Sequence, residues 1–392
     1  MSNDSRSNEL GAWLLELGTG RLEPAALVAS LVGKLEDMGV ALLRVSVWIP
    51  TKHPELWGNQ ILWSHGEGCQ ILRRAHDVSA SSDYVGTPAE RLHESGSKTL
   101  RCRLEPPTEP EFELLRRLAA KGATDYLMVA LEEPRFGTAW IAFASRRAGG
   151  FGEDDLRLLS DMAPLLSLRV QLIAAQLETE SLLEVYLGKN ASRRVLEGAF
   201  RRGGGEEVEA AIWFCDMRGF TALSDRTPAR EVVAILDAYF EVVAAAVEEQ
   251  GGEILKLIGD AMLAVFPVGA AGAQHSCRSA LAAGLSALDS MRAWRERSGL
   301  SVQLGIALHI GRVMYGNIGG RQRLDFTVIG ASVNEVCRVE SLAKELGVPL
   351  LMTAELAAAL ERDDLVSLGF HALKGVGERR EILTLRALQP GT

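Results

Sequence analysis

A mixed α/β chain of more than one domain is what this sequence predicts, and three observations predict it. Its 392 residues exceed what one hydrophobic core usually organises. Apolar runs of period 2 alternate with runs of period 3.6 along most of the length. The glycine-rich stretch Arg201-Arg-Gly-Gly-Gly-Glu-Glu207 reads as a flexible break between a first half of mixed pattern and a second half of regular alternation.

In the first half, Leu22 to Met38 reads as an amphipathic helix and Ala41 to Trp48 as a β-rich run, followed by Gln60 to Trp63 and Thr99 to Leu104. Pro110 to Lys121 reads as a helix, with Tyr126 to Leu131 and Thr138 to Ser145 as strands after it. A helical pattern then runs from Glu153 to about Leu187. One seven-residue register within it puts Leu165, Leu168, Leu172, Ala175, Leu182 and Tyr186 on a single seam, interrupted by Thr179. That seam favours a parallel dimer stalk, with a helix packed on its own domain as the alternative.

The second half begins with the apolar strand Val208 to Cys215, ending at Asp216. Thr227-Pro228 starts a helix that runs to Glu249. Gly252 to Ile258 and Ala261 to Phe266 form a predicted hairpin across Gly259-Asp260. A helix over Ala273 to Arg297, strands through Val302 to Asn317 and Phe326 to Ile329, a helix over Val333 to Leu346 and two terminal strands complete the pattern. Strands and helices in this order fit a ferredoxin-like βαββαβ core, so the fold class is α/β (α+β) with an α+β module in front.

Composition narrows the function classes. Hydrophobic residues at 47% and charged residues at 24% describe an ordinary folded chain. A net charge of −9 argues against a nucleic-acid partner or an anionic-membrane footprint. The five cysteines (Cys69, Cys102, Cys215, Cys277, Cys337) include no CxxC pair, which points to a reducing compartment. The start MSNDSRSNEL lacks a signal-peptide pattern, and the most apolar stretch, Met162 to Leu177, carries Arg169. A cytoplasmic protein without membrane insertion is the expectation.

Asp216 and Asp260 each sit where an apolar strand gives way to a turn, so two carboxylates leave one sheet edge together. Such a pair, with a backbone carbonyl, suits Mg²⁺, although aspartate is also an ordinary turn residue. Their neighbours are Phe214-Cys-Asp-Met-Arg-Gly-Phe-Thr221, Gly252-Glu-Ile-Leu-Lys-Leu-Ile-Gly-Asp-Ala261, Asp325-Phe-Thr-Val-Ile-Gly330, Val333-Asn-Glu-Val-Cys-Arg338 and Leu373-Lys-Gly375. In that order they closely resemble the catalytic domain of the class III adenylate and guanylate cyclase family.

The resemblance implies roles residue by residue. Asp216 and Asp260, with the carbonyl of Met217, would hold two divalent ions, Mg²⁺ or Mn²⁺. These would lower the pKa of the ribose 3′-hydroxyl and neutralise charge on the α-phosphate and pyrophosphate. Lys256 and Asp325 resemble the base-reading pair: a lysine donates to adenine N1 and a carboxylate accepts from N6, whereas guanine presents the opposite pattern. By itself the same pair is a plain inter-strand salt bridge. Asn334 and Arg338 would orient the ribose and stabilise the transferring phosphoryl group, where an arginine accounts for about 10³ to 10⁵ in rate. Lys374 resembles the triphosphate lysine, and Gly219, Phe220 and Thr221 the phosphate-side loop, where a glycine permits close backbone approach. Arg218, where many relatives have an apolar residue, is open between a phosphate contact and an ion pair with a nearby acid.

In this family each site forms between two catalytic domains. A head-to-tail homodimer of this chain is therefore implied. The element order of the first half resembles a GAF domain, which implies a sensor module. Trp48, Trp57, Trp63, Trp140, His53, His65 and His76 are candidates for lining a pocket there, with a purely dimerising domain as the other reading. The resulting expectation is a GAF-like regulatory domain over 1–152, a helical stalk and linker over 153–204 and a catalytic domain over 205–392. It would be an adenylate cyclase converting ATP to cyclic AMP and pyrophosphate, with a small-molecule regulator of the first domain. The alternatives are a cyclase of other base specificity or a silent nucleotide-binding scaffold. A diguanylate cyclase is disfavoured, because Gly251-Gly-Glu-Ile254 sits at a strand start and no GGDEF-like loop is present.

Overall fold

The computed structural model describes residues 3–17, 23–106, 108–131 and 139–389. Leu22 and Thr138, at the edges of two predicted elements, lie outside the described residues. The chain divides into two compact units, residues 1–182 and 183–392.

The first unit contains α1 (Asn3–Glu16), α2 (Pro24–Asp37), β1 (Leu42–Pro50), β2 (Leu56–Ser64), β3 (Gly68–Ala75), α3 (Pro88–Ser95), β4 (Thr99–Arg103), α4 (Glu113–Ala120), β5 (Asp125–Leu131), β6 (Ala139–Ser145), α5 (Glu153–Asp161) and most of α6 (Ala163–Leu187). Its strands form one antiparallel sheet in the order β3-β2-β1-β6-β5-β4. Because side chains alternate along a strand, β1 sends Val45, Val47 and Ile49 into a core with Leu10, Leu31, Leu158 and Val170. Its other face, bearing Arg44, Ser46 and Trp48, lies on the side of a smaller cluster that includes Leu92, Leu115, Tyr126 and Met128.

The helix predicted as continuous from Glu153 to Leu187 is two helices bent by 41° at Met162. Pro164 explains the break, since proline has no N–H to continue a helix and fits only its first turn. No single helix among the described residues is long and apolar enough to cross a membrane. Along α6, Leu166, Val170, Ile173 and Ala174 are buried, while the seam positions Leu168 (60% exposed), Leu172 (38%) and Tyr186 (78%) face outward.

The second unit contains α7 (Lys189–Leu196), β7 (Gly205–Arg218), α8 (Phe220–Ser224), α9 (Ala229–Glu249), β8 (Glu253–Ile258), β9 (Ala261–Pro267), α10 (Gly272–Ser298), β10 (Gln303–Gly319), β11 (Leu324–Ile329), α11 (Ala331–Leu346), β12 (Leu350–Thr353), α12 (Ala354–Leu360), β13 (Leu365–Ala372) and β14 (Arg379–Leu385). The sheet order is β13-β14-β12-β10-β7-β9-β8, with β11 also paired to β10. Its heart, β10-β7-β9-β8, is the expected βαββαβ arrangement. Residues Ala211, Trp213, Cys215 and Met217 of β7 pack into the core that holds Tyr239 of α9 and Ala280 of α10. Ala210 and Ile212 pack into the opposite core with Val336 and Val339 of α11.

The predicted flexible break is shorter than expected. β7 starts at Gly205, which pairs with Gly316, and a Cβ on Gly316 would overlap the Gly204 carbonyl. There, glycine permits close approach of two backbones.

Candidate active site

Asp216 lies near the end of β7, paired in register with Ala261 of β9. The β8–β9 hairpin turns through Gly259, at φ +65°, and Asp260, which brings the two carboxylates together. Burial, a hydrogen bond that its protonated form donates to Asp260, and the charges of Asp260 and Glu340 push the Asp216 carboxyl up to about 7. Its Oδ1 is buried without a hydrogen-bond partner. Two close carboxylates cannot both ionise comfortably without a counter-charge. An orphaned oxygen beside a second acid is a donor set that suits a hard divalent cation. The Met217 side chain is buried in the core, with its peptide next in line after Asp216.

Gly219 follows at φ +83° and starts α8. Apart from its own chain neighbours, no atom among the described residues lies within 4 Å of a Cβ placed there. Within this chain the left-handed backbone, and no crowding neighbour, is what requires glycine. Phe220 packs partly against the core and Thr221 is exposed.

Lys256 Nζ donates to Asp325 Oδ2 at 2.5 Å, joining β8 to β11. The ladder shifts register between Ile254 and Lys256, a bulge of the kind that re-aims side chains. The hydrogen bond from Lys256, helped by the positive charge of Arg323, holds the Asp325 carboxyl below the usual range. Both side chains stay accessible, at 41% and 37% exposure, so a ligand can reach the pair.

Asn334 and Arg338 are both exposed, one turn apart on α11. Among the described residues no side-chain hydrogen bond or ion pair ties either to Asp216 or Asp260. Lys374 is exposed in the loop after β13, between buried Leu373 and Gly375 at φ +84°. The structure therefore assembles two groups within one chain, Asp216 with Asp260 and Lys256 with Asp325, and leaves Asn334, Arg338 and Lys374 facing solvent.

Sequence reasoning left Arg218 open and missed Glu340. Arg218 Nη2 donates to the carbonyls of Ala343 (3.0 Å) and Val348, holding the C-terminal end of α11. A Cβ on Gly305 would lie 2.7 Å from Glu340 Oε1 and 3.1 Å from Arg218 Nε. Burial pushes the Glu340 carboxyl up, partly offset by the charge of Arg218. The available signal was a charge inside the apolar stripe Val336, Val339, Glu340, Ala343.

A second acidic cluster, His309, Glu335 and Glu355, has ligand-like spacing. Arg380 already occupies it, at 2.9 Å from Glu335 and 3.6 Å from Glu355, so its charge is met without a metal.

Residues 205–384 match the family model of the adenylate and guanylate cyclase catalytic domain. The second unit is thus a class III cyclase-type domain. Among curated relatives, an adenylate cyclase of Anabaena cylindrica is 33% identical over 159 residues, covering 40% of this chain and 32% of its own. An uncharacterized protein of Mycobacterium tuberculosis is 35% identical over 180 residues, covering 45% and 33%. The chain spans about a third of the length of the curated relatives it matches.

Among solved structures, a bacterial light-regulated adenylyl cyclase is 20% identical with TM-score 0.51, covering 68% of this chain and 87% of that one, and shares the fold. The adenylyl cyclase CyaB from P. aeruginosa is 26% identical with TM-score 0.43, covering 46% and 95%. The guanylyl cyclase Cya2 is 28% identical with TM-score 0.42, covering 48% and 96%.

Proposed function

We propose that the protein is an adenylate cyclase that converts ATP to 3′,5′-cyclic AMP and pyrophosphate at sites shared between two copies of the chain. The observation that carries this reading is the pairing of Asp216 with Asp260 at one sheet edge, alongside a separate, accessible Lys256–Asp325 pair. Asp216, Asp260 and the Met217 carbonyl would hold divalent cations, Mg²⁺ or Mn²⁺. When bound, these supply charge neutralisation on the triphosphate and acidify the ribose 3′-hydroxyl. Lys256 donates to adenine N1 and Asp325 accepts from N6, which orients the base and disfavours guanine. Asn334 positions the ribose, Arg338 meets charge developing on the transferring phosphoryl group, and Lys374 holds the distal phosphates. Gly219, Phe220 and Thr221 border the phosphates.

Asn334 and Arg338 stand exposed and unengaged with the aspartates of their own chain, which supports their serving the partner copy's Asp pair. The outward seam of α6 supports a stalk across 153–204 that joins two chains, with 1–152 regulating and 205–392 catalysing. The reading places the protein in the cytoplasm, where ATP is plentiful and free cysteines persist; all five are free.

Incubation of purified protein with ATP or GTP and Mg²⁺ or Mn²⁺, with products separated chromatographically, tests the reading. Cyclic AMP from ATP is expected. Cyclic GMP as the main product would reassign the base, and no product from either triphosphate would leave a silent binding domain.

A further inference from the structure

A cavity of about 190 Å³ lies over the second face of the N-terminal sheet, lined among others by Trp48, Trp57, Trp140, Tyr84, Gln60 and Arg74. A neighbouring compartment of about 60 Å³ shares Gln60, Asp83, Ala89 and Trp140 with it and reaches Arg44, Ser46 and Tyr126. The outer walls are aromatic. The Trp48 and Trp57 ring centroids are 4.8 Å apart, and Tyr84 meets Trp57 edge-on at 4.8 Å. Gly58 leaves room for the Trp48 ring, because a Cβ there would come within 2.6 Å of it. Of the histidines and tryptophans singled out in the sequence, Trp63, His53, His65 and His76 do not line either space.

The inner end is cationic and incompletely matched. Arg74 donates to Gln60 Oε1 at 2.9 Å and to Asp83 Oδ2 at 3.1 Å, and Gln60 donates to Ser46 Oγ at 3.0 Å. Arg44, two residues before Ser46 on the same strand face, has no such partner. Its Nε is buried without a hydrogen bond, and no carboxylate among the described residues pairs with it. The positive charge of Arg74 bears on it as well, and burial pushes the Tyr126 phenol up, so that it stays neutral. A half-buried guanidinium whose Nε is cut off from water, with no anion beside it, is unfavourable. One unmatched positive charge at the end of an aromatic slot calls for one negative charge on a flat apolar body.

We propose that this cavity binds a small planar aromatic carboxylate, with the ring among Trp48, Trp57 and Trp140 and the carboxylate on Arg44. An apolar cavity of about 150 Å³ accepts benzene, so the two compartments together suit one ring with a short acid arm. The guanidinium fork matches a carboxylate in bidentate fashion. Asp83, already paired with Arg74, disfavours a doubly charged headgroup in the same space.

The test titrates the full chain, without ATP, with benzoate, trans-cinnamate and indole-3-acetate and with their neutral amides, read by tryptophan fluorescence and calorimetry. At least one acid is expected to bind roughly tenfold or more tightly than its amide, and Arg44→Met to weaken the acid by a similar factor while leaving the amide unchanged. Equal binding of acid and amide, no binding of any of the three acids at millimolar concentration, or undiminished binding by Arg44→Met overturns the proposal. Should Arg44→Met not fold, the acid–amide comparison on the unaltered chain decides. None of these readouts depends on ATP turnover, so they stand or fall apart from the cyclase reading.

Discussion

Lys256 and Asp325 would set base choice by hydrogen-bond polarity, and that makes them the most sharply testable residues. Replacing Asp325 by Ala removes the acceptor for N6, so the ratio of kcat/KM for ATP over GTP is expected to fall by roughly 10- to 100-fold. Adding Lys256→Glu to Asp325→Cys should move the preference to GTP, and steady-state kinetics with both nucleotides reads either outcome. His309 offers a different test. Buried against Thr353 Oγ1 at 2.9 Å, with Glu335, Glu355 and Arg380 around it, its imidazole is held below the ordinary pKa of 6.5, chiefly by burial. Above that pH both folded and unfolded chains carry it neutral. As pH falls through the unfolded value, only the unfolded chain takes up the proton, so stability is lost on the acid side by up to about 1.4 kcal/mol per pH unit. Urea unfolding at pH 7.5 and 5.5 should show this loss, and His309→Gln should reduce it.

At the scale of elements, α11 matters most, because it bears Asn334 and Arg338 and depends on Arg218 for its end. Arg218→Met removes donors from the Ala343 and Val348 carbonyls and leaves buried Glu340 with only the weaker of its two compensating charges, Lys344. A loss of about 1.5 to 3 kcal/mol is expected in denaturant unfolding, and Glu340→Gln in the same chain should recover part of it. Long periodic elements such as α9, α10 and β7 were legible from the sequence because each buries a continuous stripe. The edge strand β3, none of whose residues is buried, and the helices α1 and α3 were not. The short pair β12 and α12 also escaped: four and seven residues hold too little pattern to stand out.

For the whole molecule, shared sites make a prediction that no single-chain reading makes. Asp260→Asn and Arg338→Ala proteins, each inactive, should regain activity when mixed. With random exchange the expected recovery is about a quarter of the normal rate, since half the dimers are mixed and each holds one intact site. No recovery in a mixture shown to have exchanged subunits would count against shared sites. The α6 seam is tested by Leu168→Arg with Leu172→Arg. If two chains meet there, sedimentation should show a shift toward monomer, with cyclase activity becoming dependent on protein concentration.

Residue type and spacing alone determined the mixed α/β class, the βαββαβ order of the second unit and the five motifs that mark it, because strand and helix periods and motif spacing are local properties of a chain. Only the tertiary structure decided that Arg218 holds the end of α11, that Glu340 lies buried beside it, and that Arg44 is left without an anion among aromatic walls. Those facts depend on which distant segments meet and on which charges they leave unmatched, and no local pattern encodes either.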